Sequence, residues 1–151
     1  MAISAHTLVC AAGIGSDALT QALFDERSAL TRSDALEAGT WWGRVPELVA
    51  LPGEWAACDS RATRLALCGL QADGFDSAVV ATVSRHGAAR VGLALGTSAS
   101  TIAVSEAAYA RGGFDAPQDH EALNTLHGVT HFVQQRLGLR GPALTVSNAC
   151  S

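Results

Sequence analysis

The residue with the clearest chemical potential in this sequence is Cys150. It follows an apolar stretch at residues 143–147 and the dipeptide Asn148-Ala149, a pattern that predicts a strand running into a turn and a helix N-cap. A cysteine on such a turn projects from the carboxyl edge of a parallel sheet, where the active sites of α/β proteins form. A helix N-terminus lowers the pKa of a thiol, and backbone N–H groups at the turn can hold an oxyanion. Cys150 is therefore a candidate nucleophile toward a thioester, with an inert buried cysteine as the alternative.

The other three cysteines predict no comparable chemistry. Cys10, Cys58 and Cys68 fall inside apolar patterns, and no pair of cysteines in the chain has the CxxC spacing of a redox or metal site. We expect them to be free thiols in a reducing compartment and to serve as small core residues.

The elements that must position Cys150 follow from the alternation of apolar segments with turn and cap residues. Residues 91–95 are apolar without alternation, which is typical of a parallel strand covered on both faces by helices. The segment from about 28 to 53 is irregular and predicts at most one short strand. The repeated order of strand and helix predicts an α/β fold with a parallel sheet and right-handed crossovers. The predicted strands are 3–10, 90–96 and 143–147, and the predicted helices are one following Ser16 and Asp17, 59 or 60 to about 72, 76–85, 98 to about 110, and about 120–137, ended by Gly138.

Two segments of the chain carry a resemblance to a known enzyme family. Residues 90–98, RVGLALGTS, and more strongly residues 137–151, LGLRGPALTVSNACS, resemble β-ketoacyl-acyl-carrier-protein synthases. These are the condensing enzymes of fatty acid and polyketide assembly, and weaker similarity extends over the whole chain. The resemblance implies a thiolase-like fold of three αβα layers around a mostly parallel sheet. Residues 1–151 would be its amino-terminal half, incomplete because the carboxyl-terminal half is absent.

The resemblance also implies a reaction and its site residues. Cys150 would take an acyl group from a carrier protein, and its backbone N–H would be one oxyanion donor. A malonyl-carrier would then undergo decarboxylative Claisen condensation with the acyl-cysteine, in fatty acid, polyketide or polyene biosynthesis. Family members complete the site with two histidines downstream of the cysteine, whereas all five histidines here precede Cys150. We therefore expect the parent protein to be an acyltransferase and the isolated chain to be inactive.

Two further positions are compared with the family pattern. Asn148 stands where the family usually has threonine, and its amide could still cap the next helix. Ala99 aligns with a bulky gate of the acyl pocket in similar enzymes. A methyl group there would leave room for a longer or stiffer acyl chain.

The same resemblance names the expected partners. The substrates would be carried on the phosphopantetheine of acyl-carrier protein, with no tightly bound cofactor and no metal. The strand at residues 143–147 would lie at a dimer two-fold axis, giving a homodimer or a heterodimer with a related subunit. Arg27, Arg32 and Arg44 could steer an acidic carrier protein, although such arginines are usually only solvated.

Composition excludes several other classes of function. The 14 acidic residues outnumber the 10 basic ones for a net charge of −4, and the basic residues are scattered, so we expect neither nucleic acid nor anionic membrane as a partner. The sequence has no run of 18 apolar residues and no signal-peptide pattern, which predicts a cytoplasmic protein.

Two alternatives to the synthase stay open at this stage. The first is a non-catalytic partner resembling a chain-length factor, although such subunits usually lack the nucleophilic cysteine. The second is a small free-thiol or zinc-binding module. His127 and His131 lie four residues apart and would share a helix face, with His120 two turns earlier, but no further ligand converges at helical spacing. Surface or interface histidines are the favoured interpretation.

Overall fold

The computed structural model describes residues 2–33, 39–45, 48–112 and 123–148, which form a mixed α/β structure. Two short 3-10 helices, Gly53–Cys58 and Ala88–Arg90, join the longer elements. Within the described residues, no helix has the length and apolar content that crossing a membrane requires. In chain order the elements are β1 (Val9–Cys10), β2 (Gly13–Ile14), α1 (Ser16–Phe24), β3 (Thr31–Ser33), β4 (Thr40–Trp42), α2 (Arg61–Gln71), α3 (Phe75–His86), β5 (Leu93–Gly96), α4 (Ile102–Gly112), α5 (Gly128–Arg136) and β6 (Ala143–Val146).

The central feature is a parallel pair formed by β5 and β6, in register from Leu93 opposite Ala143 to Gly96 opposite Val146. Both strands were expected from the sequence, and both begin or end within a few residues of the predicted limits. Helix α5 packs against both strands of the pair, α2 packs against α5, and the two helices supply most of the core. The buried core residues are Leu51, Leu70, Val129, Phe132 and Val133, against which Leu93 and Leu95 pack.

The opposite face of the β5–β6 pair has no covering layer among the described residues. Ala94 is exposed, and Leu144 and Val146 are 59% and 47% exposed. The expectation that residues 91–95 form a strand covered on both faces is therefore not met in this part of the chain. The apolar composition would suit cover on both faces, but the described helices supply it on only one.

The amino-terminal segment departs from the predicted strand over residues 3–10. Only Val9–Cys10 is a strand, and it pairs antiparallel with β2 in a tight hairpin instead of joining β5. The described parallel sheet consequently has two strands where three were predicted. Gly13 and Gly15 have φ angles of 147° and 89°, which L-amino acids rarely adopt, and these angles turn the chain back on itself.

A groove of about 420 Å³ separates this segment from β5, with Leu8 and Val9 on one side and Leu95 and Gly96 on the other.

The helix limits agree with the sequence best where a cap is encoded locally. Ser60 caps α2 as predicted, because its hydroxyl accepts the Thr63 N–H at 3.2 Å while the Thr63 hydroxyl accepts the Ser60 N–H at 2.9 Å. Helix α3 follows Gly74 in the left-handed conformation, so Asp76 lies in its first turn and is not its cap. Helix α5 begins at Gly128 and not near residue 120 as predicted, because residues 124–127 form bends and a turn. Gly138 with φ 63° follows its end as expected.

Two other segments differ from their predictions. Helix α4 begins at Ile102 and not at Ser98, because residues 98–100 form a turn in which the Thr97 hydroxyl accepts the Ser100 N–H at 2.8 Å. The irregular segment after Ser28 holds two short antiparallel strands, β3 and β4, where at most one was predicted.

The turn that leads into β6 depends on a close backbone approach at Gly141. A Cβ atom built on Gly141 would lie 2.4 Å from the Val91 carbonyl oxygen and 3.0 Å from the Gly92 nitrogen. The N–H groups of Arg140 and Gly141 both donate to the Ala88 carbonyl, and the Leu93 N–H donates to the Pro142 carbonyl at 2.8 Å. Glycine is therefore required at residue 141 because there is no room for a side chain, and not because of its φ angle.

We expect Gly141→Ala to destabilise the protein by about 1–3 kcal/mol, because the added methyl group must push two packed backbone segments apart. Urea denaturation of the variant measures this loss as a lower midpoint. Gly53→Ala is the matched control, since a Cβ atom there meets nothing within 4 Å. Equal midpoints for the two variants would contradict the steric argument.

Helix α1 begins at a carboxylate supplied by a distant residue. Asp73 Oδ1 accepts the Ser16 N–H at 2.9 Å, and Asp73 Oδ2 accepts the Leu8 N–H at 3.3 Å and the Ser16 hydroxyl at 3.2 Å. The N-cap residue Gly15 has no side chain, so Asp73 performs the capping role that the sequence assigned to Ser16 and Asp17. The Ser16 N–H bond is the main cause that lowers the pKa of Asp73 below its ordinary value of 3.8.

We expect Asp73→Asn to lower the melting temperature at neutral pH, because an amide holds the first turn of α1 and the hairpin less well than a carboxylate. A depressed folded-state pKa means that the carboxylate stabilises the fold above pH 3.8 and loses this effect as the pH falls through the folded-state pKa. The difference between wild type and variant should therefore shrink in acid. Melting curves of both proteins from neutral to acidic pH measure this difference in melting temperature. Asp25→Asn, at the other end of α1, is the control. A melting-temperature difference between wild type and Asp73→Asn that does not change with pH would contradict the capping role.

Candidate functional site

The parallel pairing of β5 and β6 brings two chain segments to one edge of the sheet. Strand β5 ends at Gly96 and β6 ends at Val146, directly opposite each other. The Thr97 N–H donates to the Val146 carbonyl at 2.9 Å and continues the pairing one residue further. The carboxyl edge of a parallel sheet is where α/β proteins form their binding sites. The loop after β5 and the residues after β6 both start there.

A cavity of about 200 Å³ lies where the loop after β5 meets the segment before α5. Ala99, the predicted gate residue, is in its wall. None of the described lining residues has an ionisable side chain, so the cavity suits an uncharged group. Its lining comprises Ala99, Ser100, Thr101, Ile102, Ser105, Leu123, Asn124, Thr125 and Leu126.

Hydrogen bonds between the two walls hold the cavity in shape. The buried Thr101 hydroxyl donates to the Leu123 carbonyl, and the Ser105 hydroxyl donates to Asn124 Oδ1 at 2.5 Å. The Ser100 hydroxyl donates to the Thr125 carbonyl at 3.4 Å. Ser100 also has a φ angle of 46°, in the left-handed region that side chains other than glycine seldom occupy. Ala99, next to it, lines the cavity and is itself exposed.

Cys150 lies outside the described residues, so its environment stays a prediction. The described chain ends at Ser147 and Asn148, both exposed, after the carboxyl end of β6. The other three cysteines are free thiols as expected, although each is half-buried and not fully buried. Of these, Cys58 packs against the core.

The structure does not bring the predicted histidine pair together as metal ligands. His127 directly precedes α5 and its Nδ1 contacts the Thr145 hydroxyl, whereas His131 is exposed on α5. His120 lies outside the described residues. Among the residues that the structure describes, no three His, Cys, Asp or Glu side chains cluster in a way that could hold a metal ion.

The three arginines suggested for carrier recognition are all exposed. Arg32 lies in β3 opposite Trp41 of β4, and the Arg44 guanidinium stands 5.7 Å from the centre of the Trp42 ring. Two of them therefore belong to the β3–β4 hairpin region, while Arg27 follows α1.

Sequence reasoning missed a polar cluster beneath the carboxyl end of β6. Thr145 Oγ1 lies 2.6 Å from His127 Nδ1 and 2.7 Å from Thr130 Oγ1, and Thr130 is fully buried. The sequence signal for this cluster was Thr145, the one hydroxyl residue in the otherwise apolar run 143–146. Because side chains alternate between the faces of a strand, Thr145 would be expected on the inner face. A buried hydroxyl needs a partner, and the histidine before α5 was a candidate.

No protein-family model matches the chain, and no curated protein matches it at a significant level. The functional assignment therefore depends on the residues themselves and on the site that they build.

Proposed function

We propose that this chain is the amino-terminal half of a β-ketoacyl-acyl-carrier-protein synthase of thiolase-like fold, with Cys150 as its acyl-accepting nucleophile. One observation supports the proposal: residues 93–96 and 143–146, which lie within the two segments that resemble this family, pair in parallel and end at the same edge of the sheet. A neutral cavity whose wall includes Ala99 lies at that same edge. An uncharged cavity at the edge toward which β6 runs suits the binding of an acyl group.

The proposed reaction has two steps that share one sulfur atom. The Cys150 thiolate attacks the thioester carbonyl of an acyl-carrier, the carbon–sulfur bond to phosphopantetheine breaks, and the carrier thiol leaves with a proton. A malonyl-carrier then loses carbon dioxide, and the electron pair of the broken carbon–carbon bond is left on its α-carbon. That carbanion attacks the acyl-cysteine carbonyl, a new carbon–carbon bond forms, and the Cys150 thiolate is released. The histidines that the family uses for the second step would come from polypeptide after Cys150.

The uncovered face of the β5–β6 pair supports the assignment of a half-domain. Leu144 and Val146 are exposed there, although parallel sheets are usually covered on both faces. In the proposed enzyme, the remainder of the protein would cover this face. The edge of β6 that does not pair with β5 would serve the dimer contact with a second copy or a related subunit.

We expect Cys150→Ser in the complete enzyme to lower condensation by at least on the order of 1,000-fold, because the hydroxyl of serine is a much weaker acyl acceptor than a thiolate. Iodoacetamide should inactivate the wild type, and peptide mapping should find the adduct on Cys150. Cys68→Ser is the matched control, since Cys68 is a free half-buried thiol beside a different cavity. Inactivation that leaves Cys150 unlabelled would sink the proposal.

We expect Ala99→Phe to shift the acyl preference toward shorter chains, because the ring would occupy much of the cavity that Ala99 lines. Turnover of a long acyl-carrier should fall about tenfold relative to a short one. Ala107→Phe is the control, since Ala107 is exposed on α4 and does not line the cavity. Competition assays between acyl-carriers of two lengths measure the ratio, and an equal loss for both substrates would argue against an acyl pocket at Ala99.

A further inference from the structure

The polar cluster at the inner face of β6 consists of three side chains joined in a row. Thr130 of α5 contacts Thr145 of β6 at 2.7 Å, and Thr145 contacts Nδ1 of His127 at 2.6 Å. Thr130 has no solvent exposure, while Thr145 and His127 are half-buried. These contacts join the start of α5 to Thr145, the last inward-facing residue of the strand that leads toward Cys150.

Counting donors and acceptors fixes the direction of the row. A buried hydroxyl must donate its proton, and among the described residues Thr145 Oγ1 is the partner that the structure gives to the Thr130 hydroxyl. With its oxygen accepting from Thr130, Thr145 donates its own proton to His127 Nδ1. The Nδ1 atom of His127 is then the acceptor at the end of the row. The bonds run from Thr130 to Thr145 to His127.

We propose that His127 and Thr145 are positioning residues for the Cys150 nucleophile, an inference that rests on the proposed synthase function. Thr145 is the last inward-facing residue of β6, and Cys150 follows it by five residues. The directed row anchors the carboxyl end of β6 to the start of α5. The loop after β5 is anchored to β6 by the bond from the Thr97 N–H to the Val146 carbonyl. The anchor therefore sets where the strand ends relative to the cavity that Ala99 lines.

A polar contact at this position differs from an apolar one because hydrogen bonds are directional. An apolar pair such as valine and leucine would fill the same space but would allow the strand to slide by fractions of an ångström. Hydrogen bonds near 2.7 Å tolerate little displacement, and a misplacement of about 1 Å can cost a nucleophilic step on the order of 100-fold. The row thus gives a definite end point to a strand whose outer face has no described cover.

Thr145→Val in the complete enzyme tests this role, because valine keeps the shape of threonine and removes the hydroxyl. We expect iodoacetamide labelling of Cys150 to slow by about tenfold and its pH profile to change, while Thr145→Ser restores both. Melting curves separate this effect from unfolding. If Thr145→Val lowers the melting temperature but leaves the rate and the pH profile of Cys150 labelling at wild-type values, the residue is only structural and the inference is overturned.

If Thr145→Val does not fold, two variants of His127 test the positioning role instead. His127→Asn keeps an acceptor near the position of Nδ1 and should label at close to the wild-type rate, whereas His127→Ala should be slow. Equal rates for the two would overturn the inference.

The tautomer of His127 gives a readout that does not involve the reaction. Nitrogen NMR of the wild-type protein should find that Nδ1 accepts a hydrogen bond, and an Nδ1 that donates one would overturn the directed row and the inference drawn from it. Wild-type labelling at a residue other than Cys150 would instead overturn the proposed function, and this role with it.

Discussion

The structure depends on the close approach between the backbone at Gly141 and the backbone at Val91. Because a side chain at residue 141 would overlap the Val91 carbonyl, only glycine lets the turn before β6 lie against the residues before β5. The bond from the Leu93 N–H to the Pro142 carbonyl then starts the parallel ladder, and pairing follows from Leu93 opposite Ala143. The register of the whole pair is thus set at its amino-terminal end, about the length of a strand away from the candidate site.

That register decides which side chains reach the core. Side chains alternate between the two faces of a strand, so a slip of one residue would turn Leu144 and Val146 inward and Thr145 outward. In the observed register, Thr145 faces α5 and meets His127 and Thr130. The same register puts the ends of β5 and β6 opposite each other, so that the loop with Ala99 and the chain toward Cys150 leave the sheet together. A steric constraint at one end of the pair therefore sets which residues meet at the other.

The sequence predicted those elements whose signals are local. Ser60 as the cap of α2, Gly138 after α5 and the strands β5 and β6 were all readable from nearby residues. The hairpin of β1 and β2 was not, because the carboxylate that holds it belongs to Asp73, 57 residues from Ser16. The cavity behind Ala99 also depends on contacts between segments distant in sequence, so only the resemblance, and no local pattern, pointed to that position. Cys150 was found from its place after an apolar strand, and that argument remains one from sequence.

The apolar composition of β5 bears on the proposed assembly of the protein. A strand without alternation indicates an environment that is apolar on both sides, whereas the described residues half-bury Leu93 and Leu95 and leave Ala94 exposed. The same holds for β6, whose Leu144 and Val146 are exposed large apolar residues. Leaving such a face in water is unfavourable in proportion to its apolar area. Cover on this face would reconcile composition with burial, and in the proposed function the second half of a condensing enzyme would supply it. In that proposal the exposed face is the one that the remaining polypeptide covers, and the face packed against α5 anchors the strand that leads toward Cys150.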